Sequence, residues 1–372
     1  MKKRKRALPA VLIAIAVVIA AGFVAAYAFV KGKTSKVNYL DIKPGLKMAD
    51  EGGNASGRAN GGSSSDGVSA GDLLSEMDIP EDFSIPEEMA QRLESYRNIL
   101  ILGLDSRSDS YSSPSRADSI IIASLNEKTG EVKLASVYRD TFLEIPGHSL
   151  DKVNHSYAFG EGLLAMNALN LNLDLNITEF AAINFEAASY AVNLVHGIDI
   201  DVTSEEIKYI NGYIDEIARV TGLNSSNIYT PGLQTLDGVQ ALAYSRIRYT
   251  SGGDYKRTER MRTVISKFFG KVQTLSLPDM NKLLDTILPY VYTNINPSEM
   301  ISRIPEAINY KIVSSFGWPF ETQGATIGGI FYGLPNSLEQ NVISLHKELF
   351  GEENYAPSSN VIRISDYIKT FQ

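Results

Sequence analysis

The chain has 372 residues, a formal charge of −8, 44% hydrophobic and 21% charged residues, and no cysteine. Those values exclude wholesale disorder, a disulfide framework, thiolate zinc sites, iron–sulfur clusters and a cysteine nucleophile. With four histidines, none at paired-ligand spacing, any metal is expected to be a hard cation held by oxygen.

Lys2, Lys3, Arg4, Lys5 and Arg6 come before any acidic residue. Removing these five leaves 30 basic against 43 acidic residues. That is the wrong overall sign for a duplex-binding surface, so nucleic acid is not an expected partner. Ala7 to Val30 follows without a charge, long enough for the ~20 apolar residues a bilayer needs. The basic flank predicts a cytoplasmic tail (1–6), a transmembrane anchor (7–30) and everything after it outside the cell membrane. A small-x-small site at Ala26-Tyr27-Ala28 keeps cleavage open as an alternative. Residues 31–78 read as a flexible extracellular linker, because Glu51 to Asp72 is Gly/Ser-rich and has little to bury.

Order is expected from Tyr96, in a folded domain over 95–351 with a C-terminal tail over 352–372. Asn98 to Leu104 is a continuous apolar run, the pattern of a strand buried on both faces. Ser119 to Leu125 and Glu131 to Val137 predict a hairpin around the turn ending in Gly130. Phe180 to Phe185 and Ile198 to Val202 read as strands, with a helix over 186–195 between them. Leu236 to Tyr244 reads as helical, and Arg257 to Leu275 as an amphipathic helix. Further helices are expected over 278–288, 297–310 and 338–349, and an edge strand over 361–365. This mixture predicts an α/β fold: a mixed central sheet flanked by helices, an α/β/α sandwich preceded by one transmembrane helix.

Three strand ends each carry an arginine and an aspartate: Asp105 with Arg107, Arg116 with Asp118, and Arg139 with Asp140. Open α/β sheets place chemistry at such ends. A second basic cluster comprises Arg246, Arg248, Lys256, Arg257, Arg260 and Arg262. An extended 244–249 segment would turn Arg246 and Arg248 to one side. Arginines in the first turn of a helix beginning at Arg257 oppose the dipole unless an anion sits there, and arginine forks match phosphate oxygens. Asp105 and Asp118 are candidates to share Mg²⁺ with ligand phosphates. Arg107, Arg116, Arg139, Arg246 and Arg248 are candidates to neutralise a transferring phosphoryl group. No Walker A motif or Gly-x-Ser-x-Gly elbow is present.

The pieces NILILGLDSR (98–107), SRADSIIIASLNEKTGEVKLASVYRDTFLEIPGH (115–148), DKVNHSYAFGEG (151–162), LDGVQALAYSRIRY (236–249) and GDYKRTERMR (253–262) resemble the LytR-CpsA-Psr family of bacterial cell-envelope proteins. TILPYVYTNI (286–295) and ATIGGIFYGLPN (325–336) extend the likeness to about Gly351. The resemblance implies a phosphotransferase that moves a glycopolymer, such as teichoic acid or capsule, from a polyprenyl-pyrophosphate carrier to a peptidoglycan hydroxyl. It implies Mg²⁺ as cofactor, with Mn²⁺ as an alternative, held by Asp105 and Asp118. It also implies an apolar tunnel for the polyprenyl tail. Asp105, Arg107, Asp118 and Arg139 are the expected catalytic residues; Arg116, Arg139, Arg246, Arg248, Arg257 and Arg260 are expected on the pyrophosphate. One departure is Met261, where the family usually has Gln, which bears on a polar contact near the head group. The rival reading is a non-catalytic extracellular module that binds polyprenyl-phosphate-linked or anionic polymers. A membrane-bound transcription regulator fits poorly, with only about six residues expected inside.

Overall fold

The structure is a computed structural model that describes residues 33, 36–40, 85–104, 116–303, 306 and 309–372. The expected cytoplasmic tail and anchor, Asp105 and Arg107 lie outside the described residues. No helix among the described residues is long and apolar enough to cross a membrane.

In chain order the first elements are β1 (Asn38–Tyr39), α1 (Glu87–Arg92), β2 (Tyr96–Leu104), β3 (Ala117–Asn126) and β4 (Glu131–Val137). A small ribbon of β5 (Phe142–Glu144) and β6 (Leu150–Lys152) leads into α2 (His155–Leu173), β7 (Glu179–Asn184) and α3 (Phe185–Leu194). Then come β8 (Ile198–Val202), α4 (Ser204–Thr221), β9 (Gly232–Leu236), α5 (Gly238–Arg246), α6 (Gly253–Val272) and α7 (Leu277–Ile287). The chain ends with β10 (Tyr292–Thr293), α8 (Pro297–Ser302), β11 (Lys311–Trp318), β12 (Thr322–Ile327), β13 (Ile330–Pro335), α9 (Leu338–Phe350) and α10 (Ser359–Lys369).

Seven strands form the main sheet in the order β1-β10-β7-β2-β3-β4-β11. The β2–β3 and β3–β4 pairs are antiparallel, whereas β2–β7 and β4–β11 are parallel. The sheet is therefore mixed, and helices cover both faces. One face carries Leu100, Leu102, Leu104, Ala135 and Phe180, packed with Leu169 and Leu173 of α2, Leu345 of α9 and Ile364 of α10. A second core ties α3, α4, α5 and the β8–β9 hairpin through Val192, Ile198, Ile210, Ile214, Val239 and Leu242. Each fully buried Leu or Ile contributes roughly 1.5–3 kcal/mol.

Local chemistry explains the boundaries. Thr203 and Asp237 each close a capping box, with Glu206 and Gln240 respectively, fixing the starts of α4 and α5. α2 kinks at Gly160–Glu161, where Glu161 has φ 53. The kink lets Gly162 lie flat on Phe180; a Cβ there would sit 2.5 Å from the ring.

Several expectations change. The folded part starts before Tyr96, since Met89 and Leu93 of the α1 region are core residues. Residues 361–365 form part of helix α10, not an edge strand. Val361, Ile364, Ser365 and Ile368 are buried at helical spacing and Ser358 caps the start. Residues 352–372 are thus integrated with the core: Tyr355 Oη donates to Asp174 at 2.7 Å. Within the stretch expected as flexible linker, residues 38–39 pair with β10. The amphipathic helix starts at Gly253, four residues before the expected Arg257, because Gly252 at φ 88 turns the chain into it. The helix expected over 297–310 is described over Pro297–Ser302.

Candidate active site

At the end of β2 the pairing register with β3 shifts: Gly103 faces Ser119, but Leu104 faces Ala117. Asp118 is the extra residue of a β-bulge, and bulges re-aim side chains. Its carboxylate is 8% exposed and faces three arginines. Arg139 Nη1, just beyond β4, donates to Oδ1 at 2.6 Å. Arg248 Nη2 and Arg257 Nη1 stand 3.7 and 3.9 Å from Oδ2. Arg257 also donates from Nη2 to the Asp118 carbonyl at 3.3 Å.

A second carboxylate completes the cluster. Asp254, in the first turn of α6, has Oδ1 2.9 Å from Arg257 Nε and 3.9 Å from Arg248 Nε. Arg257 Nη2 donates to Asp254 Oδ2 at 3.2 Å. Arg139 Nε lies 3.6 Å from Asp140, which pairs with Lys152 at 2.9 Å. Asp254 is not among the candidates drawn from the sequence. Its i,i+3 spacing to Arg257 is the signal that would have found it.

Electrostatics follow from this crowding. Burial and the positive Arg139 and Arg248 nearby push the Arg257 guanidinium below its ordinary value, against the pull of Asp254 and Asp118. For Arg139 burial acts downward, yet Asp118 and Asp140 outweigh it and hold the pKa up. Three arginines against two carboxylates leave the cluster short of negative charge, so an anion is the complement it lacks.

The expected site residues divide. Asp118, Arg139, Arg248 and Arg257 come together. Arg116 is exposed at the start of β3, beside the cluster in sequence. Arg246 ends α5, 3.4 Å from Glu216 and with its guanidinium 5.9 Å from the Tyr213 ring. The segment expected to be extended is helical through Arg246, so Arg246 and Arg248 are not on one strand face. Arg260 is a correction: it donates to Glu206 at 2.7 Å, the Ile247 carbonyl at 3.1 Å and Thr250 Oγ1 at 2.7 Å. Those bonds commit its buried fork to holding α4, α5 and α6 together. Asp105 and Arg107 are outside the described residues.

Beside the cluster lies an apolar cavity of about 300 Å³ between the sheet and the α3–α5–α6 layer. Ile101, Gly103 and Ser119 of the sheet face Ala188, Val192, Leu242, Met261, Val264 and Phe268. Arg257, Met261, Val264 and Phe268 fall on one stripe of α6, so one helix carries both the arginine and the cavity wall. Met261 belongs to that apolar wall, and it is 8% exposed.

Asp118 fits one position of an Mg²⁺ site. Its Oδ1 is taken by Arg139, while Oδ2 has only contacts beyond hydrogen-bond length. One carboxylate oxygen plus ligand phosphates suits this ion. Among the described residues no group of three His, Asp or Glu side chains is arranged to hold a metal without such a ligand.

An arginine–aspartate cluster at the edge of the sheet, with an apolar cavity beside it, makes this an α/β protein that places a positively charged cluster next to an apolar space. The LytR_cpsA_psr family model matches residues 74–342, and the chain belongs to this family. A similar relative is the polyisoprenyl-teichoic acid–peptidoglycan teichoic acid transferase TagU of Enterococcus faecalis, 33% identical over 223 residues, 59% of this chain and 67% of that protein. The corresponding transferase TagT of Bacillus subtilis is 28% identical over 258 residues, 68% and 75% of the two chains. A solved structure of TagT bound to LIIa-WTA superposes with a TM-score of 0.56 at 25% identity, covering 69% of this chain and 91% of that one.

Proposed function

We propose that this chain is a phosphotransferase that takes a glycopolymer from a polyprenyl-pyrophosphate carrier and joins it to peptidoglycan through a phosphodiester. The observation that carries the reading is the apolar cavity beside the Arg139–Arg248–Arg257 cluster: Ser119 follows Asp118 in β3, Met261 lies one turn beyond Arg257 in α6, and both line the cavity. Relatives named as teichoic acid transferases support it. The pyrophosphate rests on the arginine forks while the polyprenyl chain enters the cavity. An acceptor hydroxyl attacks the sugar-side phosphorus, the bond to the bridging oxygen breaks, and polyprenyl phosphate leaves, the hydroxyl's proton ending on that phosphate. Asp118 Oδ2, with Asp105, is the proposed place for Mg²⁺, which when bound neutralises charge on the phosphates. Arg139 and Arg257 stabilise the same charge directly and are already desolvated, so they need little reorganisation. Asp254 holds the Arg257 fork in place. We place the domain on the outer face of the cell membrane, anchored by residues 7–30.

The test is product formation by the full chain in vesicles, given polyprenyl-pyrophosphate-linked sugar and an acceptor glycan. Acceptor-linked product that disappears on chelation is expected. Tight lipid binding without product in any metal would replace the transferase by the binding-module reading.

A further inference from the structure

The short segment after the uncharged stretch makes specific contacts with the folded domain. Lys33 and Lys36 both reach Asp285 Oδ1 of α7 at 2.5 Å, and Lys33 is 4% exposed. Lys33 Nζ also donates to the Asn281 carbonyl at 3.2 Å. Asn38 donates from its side chain to the Pro289 carbonyl at 2.7 Å. Asn38 and Tyr39 then extend the main sheet beyond β10 in parallel register, and Leu40 N–H donates to the Thr293 carbonyl at 2.9 Å. Tight ion pairs, side-chain bonds and ladder bonds thus converge on one edge, about 250 residues away in sequence.

From these contacts we infer that α7 and the β10 edge form the membrane-proximal face of the domain, resting on the lipid surface at a fixed height. The inference rests on the anchored-transferase reading. The uncharged stretch ends at Val30, three residues before Lys33. Three residues span at most about 11 Å. Were residues 31–84 a free tether, the domain would stand off by about 40 Å on average. With β1 docked, both ends of the 41–84 segment, Leu40 and Ile85, belong to the domain, and its Gly/Ser content no longer sets the distance to the membrane. The position also suits the ligand. α3 packs on α7, and Ala188, Ala191 and Val192 of α3 line the cavity. Two packed helices, α3 and α7, with axes about 10 Å apart, therefore separate the proposed lipid-facing surface from the space proposed for a lipid tail.

The chain has no cysteine, so Lys282→Cys on the exposed face of α7 gives a single labelling point. The full chain carrying a donor dye there is placed in lipid nanodiscs with acceptor-labelled head groups. Energy transfer is expected to be high, and equal when residues 51–72 are deleted or duplicated. In Lys33→Glu/Lys36→Glu it is expected to fall at least about twofold as β1 undocks and the tether takes over, and Asp285→Lys on that background is expected to restore it. Transfer that tracks the length of the 51–72 stretch overturns the proposal. So does transfer indifferent to the double charge reversal while circular dichroism shows a folded domain. A chain that fails to float with vesicles overturns the anchored reading itself, and this inference with it.

Discussion

The two faces of the central sheet are built from the same strands and do opposite things. On one face Leu100, Leu102 and Leu104 of β2 are fully buried against α2, α9 and α10. On the other, Ile101, Gly103, Ser119 and Ile183 look into an apolar cavity under α3, α5 and α6. A face that only had to hold the fold together would be closed like the first, since interiors pack to crystal density. The second face gives up that packing, and the space lies beside the arginines. The difference separates residues that stabilise from residues that receive a ligand.

The sharpest way to break this division is at the junction. Asp118→Asn should lower transfer by about 10²–10³-fold, the cost of losing one preorganised charge, with near-native unfolding. A rate within a few fold of the parent would place the chemistry elsewhere. Leu100→Ala, on the closed face, should cost about 2–5 kcal/mol of stability in denaturant titration, with lipid affinity unchanged in the folded fraction. Ala188→Phe, on the open face, should do the reverse: about tenfold weaker carrier binding, within the few kcal/mol an overfilled site loses, with unfolding little altered. A smaller effect concerns Glu161, which accepts the Tyr292 hydroxyl proton bond on β10. Burial raises its pKa from the ordinary 4.5, against that hydrogen bond. Folded chains therefore bind this proton more tightly than unfolded ones. Its stabilising contribution is fully present below pH 4.5 and is lost as pH rises through the elevated value. Glu161→Gln should flatten that slope in pH-dependent melting; an unchanged slope would remove Glu161 as its source.

Much of the architecture was legible because it is written in periodicity. The 126–130 turn, the β3–β4 hairpin and the apolar stripe of α6 follow from local pattern alone. Asp118 and Arg139 were legible in the same way, as charges that break apolar strand ends, whereas Arg248 and Arg257 stood out as a separate basic cluster that only the family resemblance joined to them. What sequence could not show is pairing at a distance. Arg260 and Arg257 share a helix and a residue type, but Glu206 and Thr250 satisfy one while Asp118 and Asp254 flank the other. The bulge at Asp118 is a register event between two strands, invisible in either one. Val361 to Ser365 misled because a short apolar run suits helix or strand until its partners are known. Residues 38–39 were hidden by the Gly/Ser composition that follows them. The cavity was invisible for a related reason: a lined space and a filled core use the same side chains.

The central claim is that cluster and cavity serve one amphiphile. It is tested most directly by comparing the affinity of the full chain for a polyprenyl pyrophosphate with that for inorganic pyrophosphate, by competition at fixed Mg²⁺. Each buried methylene contributes about 0.8 kcal/mol, so the polyprenyl compound should bind at least about 100-fold tighter. Ala188→Phe should narrow that gap, and Arg257→Ala should weaken both ligands. Equal affinities for the two compounds would contradict the account.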